Sequence, residues 1–507
     1  MHEPGASVML AHMALLIGEI FRRAARAVPQ RIAATLDGDV LSFGALNAQG
    51  NRLGHALAAL GIERGDRVIW WGDTTLDALP VFVALAKLGA VFAPINARFG
   101  PDEATAVARL ARARLLLADA THAEAAEVVA KAADIPLLAR VGGMPGPGSD
   151  LSQAAMRSSE DEVRTPALDE NDPHVIFFTS GSTGRPKGVV LPHRVNWLRS
   201  FQGPLLGGRT STVCMFPLFH MAGWTLALGA WQARDPISFV RTPSAEALLD
   251  TVQSQRATRL YCIPAVWARI LEADLERWDL TSLHDIDTGT SATPPELISA
   301  LKERFPGTST RINYGSTEGG AGTILADEDL IRKPGSVGLP AGGVELRLSD
   351  AGEVCVHSDC LMSGYFDDPE ASAAVLSDGW YHTGDLGALD EEGYLSIVGR
   401  VRDVIRSGGE TIAPAEVEQA LADHPAVAEV AVVGLPDPRW GEIVCAVVVP
   451  RPGVTLELED LRRHAAQRLA SFKQPRRLEQ VEALPRTPAT GQIQRTLLIE
   501  RLAAREG

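Results

Sequence analysis

The densest chemistry in the chain lies in ten consecutive residues: Thr179, Ser180, Gly181, Ser182, Thr183, Gly184, Arg185, Pro186, Lys187 and Gly188. Hydroxyls and backbone N–H groups donate to phosphate oxygens, glycines let the main chain approach a ligand closely, and Lys187 adds a positive charge. The run from Val175 to Phe178 just before it is short and apolar, as a buried strand is, so the loop opens directly off a sheet. Gripping a phosphate is the chemistry that fits. A Walker A loop would end in Gly-Lys-Ser/Thr, and Pro186-Lys187-Gly188 does not supply that ending.

The elements that must hold this loop follow from hydrophobic periodicity. Through the first 400 or so residues, helical runs such as Ser42 to Leu60 alternate with β-branched runs such as Asp66 to Trp71. That alternation predicts an α/β fold with layered, mostly parallel sheets. Glycine and proline crowd the stretch from Val141 to Pro166, which reads as a surface connection. From about Arg400 the pattern becomes that of a small α+β unit. It predicts a helix from Pro414 to Leu421, strands near Val427 to Val433 and Ile443 to Val449, and a helix from Leu458 to Ala470. A strand near Leu478 and a closing helix from Thr496 to Leu502 complete it. We therefore expect a large N-terminal domain over 1–399 and a small domain over 400–507, the division that 507 residues would favour.

Bulk properties exclude several classes of function. A formal net charge of −15 repels a nucleic-acid backbone, so no nucleic-acid partner is expected. Cys214, Cys262, Cys355, Cys360 and Cys445 form no CxxC pair and no zinc-type cluster, and they read as reduced thiols of a cytoplasmic protein. The apolar stretch from Met9 to Ile20 lacks a basic flank and is broken by His12 and Glu19, so it reads as an amphipathic helix rather than a signal peptide. No uncharged apolar run is long enough to predict a membrane span.

The loop TSGSTGRPKG resembles the phosphate loop of the adenylate-forming superfamily, which includes acyl-CoA synthetases, adenylation domains and firefly-type luciferases. Further motifs follow in that family's order: Phe216 to His220, Tyr314 to Glu318, Gly379 to Asp385, Gly399 to Asp403, and Ser407 to Glu410. The resemblance covers Ile20 to Leu502 and implies an acyl-CoA synthetase that works on a small-molecule carboxylate through its acyl-adenylate. ATP, coenzyme A and Mg2+ are the implied cofactors. It implies that Tyr314 stacks on adenine, that Thr317 meets a phosphate oxygen, and that Thr179 and Glu318 face the magnesium ion. Each side chain suits its role, since hard oxygen donors hold magnesium and an aromatic face stacks on a base. Asp385 would accept the ribose hydroxyls, and Arg400 would donate to the same sugar or phosphate. His220 would act as a positional gate beside the acyl and thiol channel. In the small domain Gly408 and Gly409 would line the pantetheine path, while Trp440, Lys473, Arg476 and Arg477 would meet coenzyme A. The segment Gly289-Thr290-Ser291-Ala292 departs from the glycine-rich pattern usual at the adenine loop.

One departure bears on mechanism. In the terminal stretch from Pro485 to Arg495, Gln492 stands where the family carries a lysine that bridges the carboxylate and the α-phosphate during adenylation. Glutamine donates hydrogen bonds but brings no charge. Losing one preorganised donor to developing charge costs on the order of 10²–10³ in rate, so adenylation is expected to be impaired. Small-domain rotation about Arg402 would carry this loop away before thioester formation, leaving that half-reaction intact. In this respect the chain resembles the non-adenylating CoA ligases of platensimycin and platencin biosynthesis, in which a separate ligase makes the adenylate. Three other readings stay open: a complete ATP-dependent ligase whose missing charge comes from Arg486, Arg495 or Lys187, an adenylation domain loading a free-standing carrier, and a catalytically silent nucleotide-binding regulator.

Overall fold

The structure is a computed structural model that describes residues 14–143, 145–165, 167–180, 186–201, 210–407, 410–487 and 491–505. It divides into two compact units, one running to Pro243 and taking in Met362–Pro369, the other formed by Ser244–Leu361 and Glu370–Gly507. The α/β class expected from the alternating periodicity is the class observed.

In the first unit, eight strands form one sheet in the order Gly364–Tyr365, Pro186–Pro192, Pro173–Ser180, Val91–Ile95, Arg67–Trp71, Leu115–Ala118, Leu137–Arg140, Ser149–Asp150. All pairs are parallel apart from Pro186–Pro192, which runs antiparallel to both of its neighbours. The helices Ala78–Leu88, Pro101–Ala111 and Ala123–Ala132 lie between strands in sequence, as parallel pairing requires. Strands buried on both faces carry no polar alternation, which is why Arg67–Trp71 and Val91–Ile95 read as continuous apolar runs. The helix expected from Ser42 spans Phe43–Ala59, and the Ser42 side chain caps it by accepting from Ala45 N at 3.2 Å.

Two expectations need correction here. The stretch from Val141 to Pro166 is not only a surface connection. Asp150 caps a short helix, Leu151–Met156, and Leu151 is fully buried. The amphipathic helix placed over Met9 to Ile20 begins outside the described residues in part, and the helix observed is Ile17–Ala27.

Beneath this sheet, Phe82 stacks flat on Trp224 at 4.0 Å, and Phe82 also meets His174 edge-on. His174 packs on His193 with ring centroids 4.6 Å apart, both fully buried. His193 Nδ1 accepts from Ile17 N, and the His174 Nδ1 pairs with the Asn196 amide. Among the described residues the Nε2 atoms of both rings find no partner. Each ring is therefore a neutral tautomer with its remaining N–H unbonded.

In the second unit, parallel strands Arg259–Tyr261, Asp285–Gly289 and Ser309–Ser316 continue into antiparallel Gly320–Leu325. An antiparallel group follows, with Glu353–Ser358 between Val344–Leu348 and Trp380–Leu389, and Leu395–Arg400 on the far side of Trp380–Leu389. The last hundred residues build a sheet around Gly441–Pro450, which pairs with Val427–Asp437, Ile405–Ser407 and Arg477–Gln480. Its alternation is strict. Val444, Ala446 and Val448 face the helices Pro414–Leu421 and Leu458–Ala465, whereas Cys445 and Val447 face the helix Arg495–Ala503. The helix expected to reach Ala470 ends at Ala465. Among the described residues no helix is long and apolar enough to cross a membrane.

The buried histidine pair has a consequence for acid stability. Burial drives the His193 pKa down to about 4, with Asp172 pulling weakly the other way, and burial also lowers His174. Below pH 6.5 the unfolded chain takes up protons that the folded chain refuses, so stability falls as pH drops from 6.5 towards 4. For His193 the loss is on the order of 3 kcal/mol. Urea denaturation at pH 7.5, 5.5 and 4.5 is expected to show this decline, and His193→Gln is expected to flatten it.

Candidate adenylate site

In the first unit the expected phosphate loop connects two antiparallel strands. Strands Pro173–Ser180 and Pro186–Pro192 pair antiparallel, with Thr179 opposite Lys187. The residues Gly181, Ser182, Thr183 and Gly184 lie outside the described residues. Lys187 Nζ sits 4.6 Å from the centre of the Tyr365 ring, a cation–π contact. A side chain at Gly188 would meet Ile176 at 2.9 Å and Phe366 at 3.3 Å, so this position must stay bare for the hairpin to lie against the 362–369 segment.

His220 is the N-cap of the helix Met221–Gln232, its Nδ1 accepting from Ala222 N at 3.2 Å. Its ring stacks on Phe216, and Trp224 anchors the preceding turn by donating to Leu218 O at 2.6 Å. Burial lowers the His220 pKa to about 4. The imidazole is neutral at physiological pH and held by its cap, a poor position for proton shuttling and a good one for a wall.

The second unit gathers the nucleotide-type residues. Asp385, on Trp380–Leu389, is 7% exposed and opposes Arg400 in register. Tyr314 donates its hydroxyl to Asp385 Oδ2 at 2.7 Å, and Arg400 Nε lies 2.8 Å from Asp385 Oδ1. Burial raises the Asp385 pKa, with Arg400 and the Tyr314 hydrogen bond pulling it back. Burial and the neighbouring carboxylate push the Tyr314 phenol upward, so it stays a donor. A carboxylate has about four lone-pair directions, and two remain for a ligand. The Tyr314 ring packs over Gly322, where an added Cβ would come within 3.2 Å of it. Thr317 and Glu318 form the turn between Ser309–Ser316 and Gly320–Leu325.

The two departures noted in the sequence meet in the same unit. Gln492 Nε2 donates to Thr290 O at 3.0 Å. The loop presenting Gln492 is braced by Thr487, whose N donates to Gln492 O at 2.8 Å and whose Oγ1 accepts from Gln492 N at 3.1 Å. On the other side, Gly289 has φ +147 and lies so near Asn313 O that a Cβ would be 2.1 Å away, while Thr290 itself has φ +66. The Thr290 hydroxyl is buried and finds no partner among the described residues.

The cations near Gln492 in sequence are committed elsewhere. Arg486 binds Glu429 at 2.6 Å and Gly491 O at 2.9 Å. Arg495 grips both oxygens of Glu418 at 2.6 and 2.8 Å and approaches Asp403 at 3.4 Å. Further along the small domain, two guanidinium groups pack against the Trp440 ring, Arg476 at 4.4 Å and Arg439 at 4.9 Å. Arg476 and Arg477 border an open groove of about 510 Å³.

Comparison with known proteins settles the family. The AMP-binding enzyme family matches residues 21–366, and its C-terminal domain matches residues 416–490. The chain belongs to the AMP-binding enzymes. A feruloyl-CoA synthase of Amycolatopsis sp is 33% identical over 489 residues, covering 93% of this chain and 96% of that protein. An indoleacetate–CoA ligase of Aromatoleum aromaticum is 35% identical over 480 residues, covering 90% and 92%. The structure of the anthranilate CoA ligase AuaEII in complex with anthranoyl-AMP superposes with a TM-score of 0.85 at 26% identity, covering 97% of this chain and 98% of that one. This AMP-binding enzyme is an acyl-CoA ligase of the type that works through an acyl-adenylate, a class that uses ATP and CoA and in general Mg2+.

For the residues expected in this AMP-binding enzyme's site, the structure brings Tyr314, Asp385 and Arg400 into contact and joins Gln492 to the Gly289–Ala292 segment. Ser180 Cα pairs with Pro186, and Gly408 and Gly409 lie outside the described residues. Lys473 is bound to Glu416 at 2.6 and 2.7 Å, and Arg477 to Glu479 at 2.8 Å, so neither cation is uncommitted. Sequence reasoning assigned Tyr314 a stacking face and missed its hydroxyl bond to Asp385. The two residues stand 71 positions apart, and no local pattern announces the pair.

Asp385→Ala is expected to weaken AMP binding more than tenfold while the protein stays folded, because hydrogen bonds to a charged group are worth about 1.5–3 kcal/mol. Calorimetric titration with AMP measures it. Unchanged affinity in a folded variant would remove Asp385 from the nucleotide site.

Proposed function

We propose that this ligase forms an acyl-CoA thioester from an acyl-adenylate and CoA, and that its own adenylation half-reaction is impaired. The observation carrying the proposal is the uncharged Gln492 amide docked on Thr290 O with no spare cation in its loop. As charge builds between a carboxylate and the α-phosphate, a lysine at this position would supply a full positive charge. An amide supplies only a dipole, and here that dipole already has a backbone partner. Arg486 and Arg495 cannot substitute without abandoning Glu429 and Glu418.

Thioester formation makes a different demand. The carbonyl of an acyl-adenylate is already activated, and the enzyme must hold the adenylate, exclude water and admit a thiol. Asp385, Tyr314 and Arg400 would hold the nucleoside, Thr179 and Glu318 offer the hard oxygen donors a magnesium ion takes, and the capped, neutral His220 would wall the acyl channel. Gly408 and Gly409 would give the pantetheine arm passage, with Trp440, Lys473 and Arg476 as coenzyme A contacts on the small domain over 400–507. A separate adenylating ligase would supply the acyl-adenylate, as in the natural-product pathways that use non-adenylating ligases, and the cytoplasm is where both substrates occur. A complete ATP-dependent ligase is the competing reading, favoured by the full-length likeness to CoA ligases.

Gln492→Lys is expected to raise carboxylate-dependent pyrophosphate exchange by about 10²-fold or more, the scale of one restored electrostatic contact. CoA consumption with a synthetic acyl-adenylate is expected to change little. Wild-type exchange at ordinary ligase rates would establish the complete ligase instead, and failure to consume CoA from any of a panel of acyl-adenylates would leave a nucleotide-binding regulator.

A further inference from the structure

The strand that carries Asp385 is not regular. Between the pairs Cys355 with His382 and Glu353 with Leu386, a single residue, Val354, faces three: Thr383, Gly384 and Asp385. A bulge of this kind bends the strand and re-aims a side chain. Gly384 makes it with φ +73, a conformation that L side chains resist. Asp385 thereby leaves the ladder with Glu353–Ser358 and turns towards Tyr314 and Arg400.

A bulge of this size needs its N–H groups satisfied, and two side chains, Glu353 and Thr383, supply acceptors. Glu353 Oε1 accepts from Gly384 N at 2.9 Å. Glu353 Oε2 lies 3.2 Å from His382 Nδ1, and because a carboxylate only accepts, Nδ1 is the donor. His382 Nε2 then accepts from Ser377 Oγ at 3.1 Å. Inside the bulge Thr383 Oγ1 donates to Val354 O at 2.8 Å and accepts from Asp385 N at 3.1 Å. Each end of the bulge is therefore pinned to Glu353 or to its neighbour Val354. The Glu353 side chain is four-fifths covered, and the polar contacts of Asp385 come from Tyr314 and Arg400, not from Glu353.

We infer that Glu353 is a positioning residue for nucleotide recognition: its carboxylate clamps the Thr383–Gly384 bulge and so sets where Asp385 meets the ribose. The inference rests on the reading of Asp385 as the ribose contact. Without the clamp the Gly384 N–H loses its acceptor, His382 loses its orientation, and the bulge can relax towards regular pairing. That relaxation would draw the Asp385 carboxylate out of register with Tyr314 and Arg400. The loss should appear in ribose recognition and not in CoA recognition.

The test compares binding of AMP with binding of its 2′,3′-dideoxy analogue in the full chain. Glu353→Ala is expected to weaken AMP about tenfold and to abolish most of the preference for AMP over the dideoxy analogue, with the KM for CoA unmoved. Glu353→Gln keeps an acceptor for Gly384 N and can pair with the other His382 tautomer, so it is expected to restore AMP affinity to within about threefold of wild type. Glu353→Asp, one methylene shorter, is expected to behave like the alanine variant and serves in its place if that variant fails to fold. Combined with Asp385→Ala, the Glu353→Ala change is expected to cost nothing further, because both act on one contact. If Asp385→Ala abolishes the ribose preference while Glu353→Ala and Glu353→Asp keep it, the clamp is refuted. If Asp385→Ala itself keeps the preference, the ribose assignment fails first.

Discussion

A carboxylate buried at position 385 has to be compensated, and the second unit is arranged around that requirement. An ionised group moved out of water is costly unless opposite charge and hydrogen bonds replace the solvent. Here the compensation comes from two other strands: the Tyr314 hydroxyl from Ser309–Ser316 and the Arg400 guanidinium from the end of Leu395–Arg400. Those partners tie the end of a mostly parallel sheet to an antiparallel group. The same bonds keep two lone-pair directions of Asp385 open, so what stabilises the fold also leaves the carboxylate able to accept further hydrogen bonds.

The terminal loop shows the complementary case, in which charge is present but spent. Arg486 and Arg495 flank Gln492 closely enough in sequence to look like replacements for a lysine. Each is instead fixed by a carboxylate of the small domain: Arg486 by Glu429, and Arg495 by Glu418, both of whose oxygens accept from Nη2 while Nη1 approaches Asp403. What the loop can present is the neutral amide of Gln492. Cation count near a site is thus a weak guide to its electrostatics until the partners are known.

Local rules made much of the architecture legible. Ser42 announced its helix because a cap acts within three residues, and Pro414–Leu421 stood out because Pro at the first turn and spaced apolar residues both act locally. The small-domain strands were visible through period-2 burial on two faces. Leu151–Met156 was hidden because glycine and proline on its N-terminal side mask a six-residue helix whose main signal is the Asp150 cap. In the site, residue types in family order pointed to Tyr314, Asp385, Arg400 and Gln492, but not to their partners. The Tyr314 bond and the bulge at Gly384 depend on strand register, and the contact of Gln492 with Thr290 on how two loops dock; no single stretch of sequence encodes either.

The amide on Thr290 O also changes how the terminal loop responds to its surroundings. A lysine at that place would be drawn to phosphates by a field that mobile ions screen over about 8–10 Å in ordinary salt. A neutral N–H on a carbonyl oxygen has no long-range field to screen, and its strength is set by contact geometry within the 3.0 Å bond. The amide's own share in seating this loop on the Gly289–Ala292 segment is therefore insensitive to ionic strength, unlike that of the exposed Arg486–Glu429 pair that braces the same loop.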